Sequence, residues 1–151
     1  MASTSPGGRR PEAPGDDNGY FEALTKSVFD AGFSWKVVRH NWPNFLKAFD
    51  SFDIDKVAAY DERDVDRLLA DQGIVRNGRK IRATIQNAQV MEQLVAEHGS
   101  FRGYLRTLDG LTWQKRQKAL SKAFKNLGPT GAYWFLWRVG EEVPPWDERQ
   151  Q

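Results

Sequence analysis

The sequence predicts an all-α protein folded as a single domain. Residues 61–95, DERDVDRLLADQGIVRNGRKIRATIQNAQVMEQLV, repeat apolar residues at helical spacing on both sides of a glycine-flanked break. Further runs with the same period lie before and after them, punctuated by Gly, Pro and helix-capping residues. No stretch alternates with the period of two expected of a half-buried strand, and no internal repeat is present.

The elements follow in chain order. Residues 1–18, MASTSPGGRRPEAPGDDN, are rich in Pro, Gly, Ser and Ala and carry no apolar period, so a disordered tail is expected there. The folded domain is expected over residues 19–143 and a short polar tail over 144–151. Phe21, Leu24, Val28 and Phe29 share one face of a first helix that should stop at Gly32. Ser34 can cap SWKVVRHN, and Pro43 suits the first turn of PNFLKAF, which is apolar at Phe45, Leu46 and Phe49. Asp53 caps a short helix ending near Tyr60, and Asp61 caps the next.

In that next helix Val65, Leu68 and Leu69 form the expected buried stripe; after the hairpin QGIVRNG, Ile81, Ile85, Ala88, Met91 and Val95 form another. The second helix should end near Gly99, with Ser100 capping SFRGYLRTL and a break at Asp109-Gly110. The basic segment LTWQKRQKALSKAFKNLG is expected to bury Trp113, Leu120, Ala123 and Phe124. After Gly128-Pro129 the run TGAYWFLWRVG is apolar nearly all round, which predicts a helix enclosed by its neighbours.

The hairpin carries the first functional signal. Gly73 and Gly78 would let the backbone take positive φ or approach another backbone closely, and free amides at the start of a helix suit an anion. From Gln72 to Met91 there is no acid, while Arg76, Arg79, Lys80 and Arg82 crowd the turn. Gly73, Ile74, Val75, Arg76, Asn77, Gly78, Arg79 and Lys80 are therefore candidates for gripping a DNA phosphate, in the manner of a helix-hairpin-helix. An ordinary αα-hairpin with a solvated basic turn has the same pattern.

Composition narrows the chemistry. Nineteen aromatics, six of them Trp, support a real core in 151 residues. The chain has no Cys and only His40 and His98, which excludes disulfides and thiolate catalysis and leaves no metal site expected. His40 with Asp50, and His98 with Glu97, lack a nucleophile or fixed spacing and read as ordinary surface or partly buried histidines. Neither a P-loop nor a dinucleotide fingerprint is present. No apolar run reaches the length of a membrane span, so a soluble, cytoplasmic or nucleoid-associated protein is expected. The net charge of +2 conceals a segregation: residues 72–140 hold twelve Lys or Arg against three acids, leaving −7 for the remainder. That asymmetry favours a polyanionic partner.

The blocks DAGFSWKVV, FDIDKVAA, DVDRLLADQGIVRNGRKIRATIQNA, LSKAFKN and GPTGAYWF stand in this order and resemble bacterial 3-methyladenine DNA glycosylase I. The resemblance implies a helix-hairpin-helix DNA-glycosylase bundle that hydrolyses the N-glycosidic bond of alkylated adenine, the first step of base-excision repair. It implies double-stranded DNA with an alkylated base as partner; no cofactor and a monomer are expected for this chain, and its chemistry is expected to be monofunctional, since no lysine sits where a Schiff-base nucleophile would be. Gly32-Phe33 matches the turn whose apolar residue wedges into the base stack, and Trp35 matches a pocket aromatic that stacks on the extruded base. Read without the family, Phe33 and Trp35 are equally core aromatics beside a turn.

The departures bear on activity. The family's zinc clip of Cys and His is missing, with Val143-Pro144-Pro145-Trp146 where the C-terminal His is expected. The family's acidic residue against the methylated base aligns with Ser27, whose hydroxyl cannot supply a carboxylate's charge. Asp30, one turn on, either offers a compensating carboxylate or is a surface residue. Ser27 and Asp30 are thus the candidate catalytic positions. Beside the enzyme stand two other readings: a catalytically impaired module that binds damaged or distorted DNA, and a protein-interaction bundle whose basic face is incidental.

Overall fold

Side-chain caps mark where most of the nine helices among the described residues begin. A computed structural model describes residues 10–146, with helices α1 (Asp17–Asp30), α2 (Trp35–His40), α3 (Trp42–Ala48), α4 (Ile54–Ala58), α5 (Glu62–Leu69), α6 (Gly78–His98), α7 (Phe101–Arg106), α8 (Trp113–Ala123) and α9 (Pro129–Arg138). No strand occurs among the described residues. Asp16, Ser34, Asp53, Asp61, Asn77, Ser100 and Thr112 each accept a hydrogen bond from a first-turn amide. Asp61 and Asp64 complete a reciprocal capping box on α5.

The first turn of α1 also ties down distant helices. The Asn18 side chain accepts from the Ile54 amide at 3.0 Å and the Asp17 side chain from the Phe101 amide at 2.8 Å. Orphan donors at the starts of α4 and α7 are thereby satisfied across 36 and 84 residues. The spine is α6, which packs on α4, α7, α1 and α5, while α9 packs on α1 and α8.

The core follows most of the expected stripes, with Leu46, Val95, Trp113 and Ala123 only partly buried at its edge. Phe21, Leu24, Val28, Phe29, Phe45, Phe49, Val65, Leu68, Ile81, Ile85, Ala88, Met91, Leu120 and Phe124 are buried. Trp42, Phe45, Phe49 and Phe52 stack in near-parallel pairs with centroids 4.9–6.3 Å apart. To bring Phe52 into that stack, Asp50–Phe52 runs through three consecutive positive-φ residues. The Tyr60 hydroxyl holds this turn by donating to Asp50, and the Arg67 guanidinium donates to the Ala48 carbonyl beside it.

Several expectations change. Leu69 does not complete its stripe; it is 38% exposed because α5 ends there and its side chain turns toward the hairpin. Neither Gly73 nor Gly78 has positive φ. Gly73 instead leaves room for Asn44, whose Cγ would lie 3.0 Å from a Cβ and whose amide donates to the Gly73 carbonyl. Helix α9 is not enclosed on every side, for Trp134 and Trp137 are only half-buried.

At the ends, α1 begins at Asp17, and Pro11 and Ala13 press their backbone against Gly140. Residues 1–9 and 147–151 of the expected tails lie outside the described residues. Within the expected C-terminal tail, Trp146 packs on Tyr133 and Trp134, and the Tyr133 hydroxyl donates to the Pro144 carbonyl.

Candidate active site and DNA-binding hairpin

Between α1 and α9, and closed at one end by the α1–α2 turn, lies a cleft of about 670 Å³. Gly32 takes φ +69 in that turn with open space where a Cβ would stand, so its glycine is required by conformation rather than by crowding. The turn projects Phe33 and Trp35 outward. At 47% and 54% exposed, they are surface groups, which removes the core-aromatic alternative. Trp35 lines the cleft with Trp134 and Trp137, giving an aromatic slot of the kind that holds a planar base. Lys36 and Arg39 place their cations 5.8 and 5.9 Å from the Trp35 ring.

The structure brings Ser27 and Asp30 together in this cleft through a third residue, Arg138. Ser27 is 2% exposed; its hydroxyl donates to the Ala23 carbonyl and accepts from the Arg138 guanidinium at 2.8 Å. The other arm of Arg138 forms an ion pair with Asp30. Asp30 is therefore not a free carboxylate, and its charge is matched within the cleft wall. Sequence reading missed Arg138, 111 residues from Ser27. The one signal was a lone charge on an otherwise apolar α9. Trp134, Trp137 and Arg39 were missed as cleft residues for the same reason: their helix faces are set by packing.

The hairpin adjoins the turn. Phe33 also lines a shallow groove with Leu69, Gln72, Ile74, Val75, Arg76, Asn77 and Gly78. Ile74 is buried and anchors the hairpin. The Gly73 amide is taken by Asp71 and the Lys80 amide by Asn77, whereas the amides of Gly78 and Arg79 sit in the first turn of α6 without an intrahelical acceptor.

The four basic side chains divide. Arg76 and Arg79 are exposed. Arg82 is matched by a bidentate bridge to Glu62, which holds that carboxyl below its usual range. Lys80, expected to meet phosphate, instead turns inward, donating to the Phe29 and Ala31 carbonyls at 3.1 and 2.5 Å. Burial lowers its pKa while the nearby Asp30 opposes the shift. Lys80 thus clamps the hairpin to the C-terminus of α1, beside the wedge turn.

No group of three or more His, Cys, Asp or Glu that could hold a metal occurs among the described residues. The chain lacks the thiolates that the family's zinc clip uses, so its residues do not fit that ion. No described helix is long and apolar enough to cross a membrane.

The helical bundle holds a basic elbow, an apolar turn and an aromatic cleft side by side, and its fold is that of the all-α DNA glycosylases. The fold superposes on a crystal structure of 3-methyladenine DNA glycosylase I with TM-score 0.77 at 29% identity, covering 88% of this chain and 84% of the other. It superposes on the Staphylococcus aureus 3-methyladenine DNA glycosylase I with TM-score 0.78 at 25% identity, covering 91% and 84%. The chain belongs to the methyladenine glycosylase family, whose model matches residues 10–125. It is 33% identical over 144 residues to DNA-3-methyladenine glycosylase 1 of Escherichia coli (strain K12), covering 83% of this chain and 77% of that one. It is 27% identical over 144 residues to DNA-3-methyladenine glycosylase of Haemophilus influenzae (strain ATCC 51907 / DSM 11121 / KW20 / Rd), covering 83% and 78%.

Proposed function

We propose that the chain is a monofunctional DNA glycosylase that hydrolyses the N-glycosidic bond of an alkylated adenine flipped from duplex DNA. The observation that carries this reading is the sharing of Phe33 between the aromatic cleft and the hairpin groove. One DNA strand held on the exposed Arg76, Arg79 and the free amides of Gly78 and Arg79 brings the duplex against Phe33. Phe33 fills the gap left by the extruded nucleotide, and the base enters the slot of Trp35, Trp134 and Trp137. Water then attacks the anomeric carbon as the bond to the base nitrogen breaks. The bonding pair leaves with the base, and the water gives up a proton. A base already cationic departs neutral, so much of the rate comes from the leaving group, with the slot fixing its geometry. Since one chain supplies all these parts, the acting species is a monomer working on cytoplasmic DNA.

The pairing of Asp30 with Arg138 favours a second reading, a catalytically impaired module that binds damaged DNA. Duplex DNA carrying 3-methyladenine separates the two. Release of free base that Trp35→Ala abolishes and a chelator leaves intact supports the enzyme. Tight binding to abasic-site DNA without any base release supports the module. Affinity insensitive to salt and to Arg76→Glu with Arg79→Glu would defeat both.

A further inference from the structure

The cations around the wedge turn fall into two groups. Arg138, Arg82 and Lys80 are engaged, by Asp30, by Glu62 and by the Phe29 and Ala31 carbonyls. Arg76, Arg79, Lys36 and Arg39 are exposed, and their side chains make no ion pair or hydrogen bond among the described residues. The first two belong to the hairpin. The other two belong to α2, inside residues 31–49, a stretch that holds no acid. Lys36 and Arg39 are i, i+3 neighbours, a spacing that sets their Cβ atoms about 5–6 Å apart on one helix face. Helix stability does not account for Lys36, which sits in the first turn of α2, where the helix dipole favours an anion. Arg39 lines the cleft with Phe33 and Trp35, and Phe33 also lines the hairpin groove. Two unpaired cationic patches therefore stand on either side of the wedge residue. A nucleotide that rotates out of the stack into the cleft carries its phosphates past Trp35, and the displaced backbone crowds like charges that free cations there would relieve.

We propose that Lys36 and Arg39 of α2 form a second phosphate clamp, which holds the backbone of the flipped nucleotide at the cleft mouth while the hairpin holds the duplex across Phe33. The clamp reads no base; it stabilises the extruded backbone and so favours flipped over stacked DNA. The inference rests on the glycosylase reading of the cleft and adds a second DNA contact to it.

The test uses the full chain and two labelled duplexes that share one abasic-site analogue. In the second duplex the phosphates flanking that site are replaced by uncharged methylphosphonates. Fluorescence anisotropy over a salt series gives the slope of log K against log salt for wild type, Lys36→Gln with Arg39→Gln, and Arg76→Gln with Arg79→Gln. On the first duplex the α2 variant should lose about 2 from the slope, one for each phosphate contact. On the methylphosphonate duplex that loss should vanish, because the contacted charges are gone, whereas the hairpin variant should keep its own loss. Lys36→Arg with Arg39→Lys, which keeps both charges, should restore the slope. A full wild-type slope in the α2 variant overturns the proposal, and so does a loss that persists on the methylphosphonate duplex. Base release that falls at an unchanged slope also overturns it, since the two cations then serve only to support the Trp35 ring. Should the α2 variant fail to fold, wild type decides by itself: an equal slope on the two duplexes sinks the clamp. If wild type shows no salt dependence at all, the glycosylase reading falls and the clamp with it; a normal wild-type slope left unchanged in the α2 variant removes the clamp alone.

Discussion

Replacing Lys80 with Met separates a structural clamp from a phosphate contact. The ammonium donates to two carbonyls at the end of α1, at 2.5 and 3.1 Å, and lies at the negative end of that helix dipole. Charge-assisted hydrogen bonds contribute about 1.5–3 kcal/mol each, and the dipole about 0.3–1 kcal/mol. Lys80 is only half-buried and water can replace it at the carbonyls, so the expected loss lies low in that range, about 2 kcal/mol. For a domain of this size that lowers the melting temperature by roughly 4–8 °C. Because the charge faces inward, the salt dependence of DNA binding should keep its slope. Arg76→Met and Arg79→Met should behave inversely, leaving stability nearly unchanged and each removing about 1 from the slope of log K against log salt. Thermal unfolding followed by circular dichroism, with fluorescence anisotropy on duplex DNA over a salt series, reads both quantities. A Lys80→Met protein of unaltered melting temperature with a slope reduced like that of Arg76→Met would refute the reasoning.

Ser51 sits exposed at φ 55, ψ 29, so Ser51→Gly should relieve left-handed strain and raise stability by about 0.5–1 kcal/mol in urea denaturation, after the greater freedom of glycine in the unfolded chain is offset. The pKa of Tyr60 is raised, first by burial and then by its bond to Asp50. A phenol raised in the fold contributes stability that is present below its unfolded pKa of about 10 and is lost as pH climbs toward the folded value. Tyr60→Phe should cost about 1 kcal/mol at neutral pH, yet lose stability less steeply than wild type above pH about 10 in parallel urea titrations. Trp146→Ala removes ring contacts to Tyr133 and Trp134, and since Trp134 lines the cleft, it should lower stability by about 2 kcal/mol and raise KM more than it lowers kcat in a base-release assay.

The chain by itself determined which faces are buried and where most helices begin. Those properties are local, since a stripe at the helical period and a capping oxygen three residues before an amide need no distant partner. Phe21, Leu24, Val28, Phe29 and the caps Ser34, Asp53, Asp61 and Ser100 could therefore be read directly, as could the position of the hairpin and the turn at Gly32. Tertiary structure alone decided what the polar side chains meet. Lys80 reaches carbonyls 49 and 51 residues away, and Arg138 reaches Ser27 and Asp30 across 111 and 108. Such pairings depend on how helices cross, which no spacing along one helix encodes, and so does the turning of Trp134 and Trp137 toward a cleft. Sequence placed a hydroxyl and a carboxylate one helical turn apart; only the approach of α9 joined them through a cation.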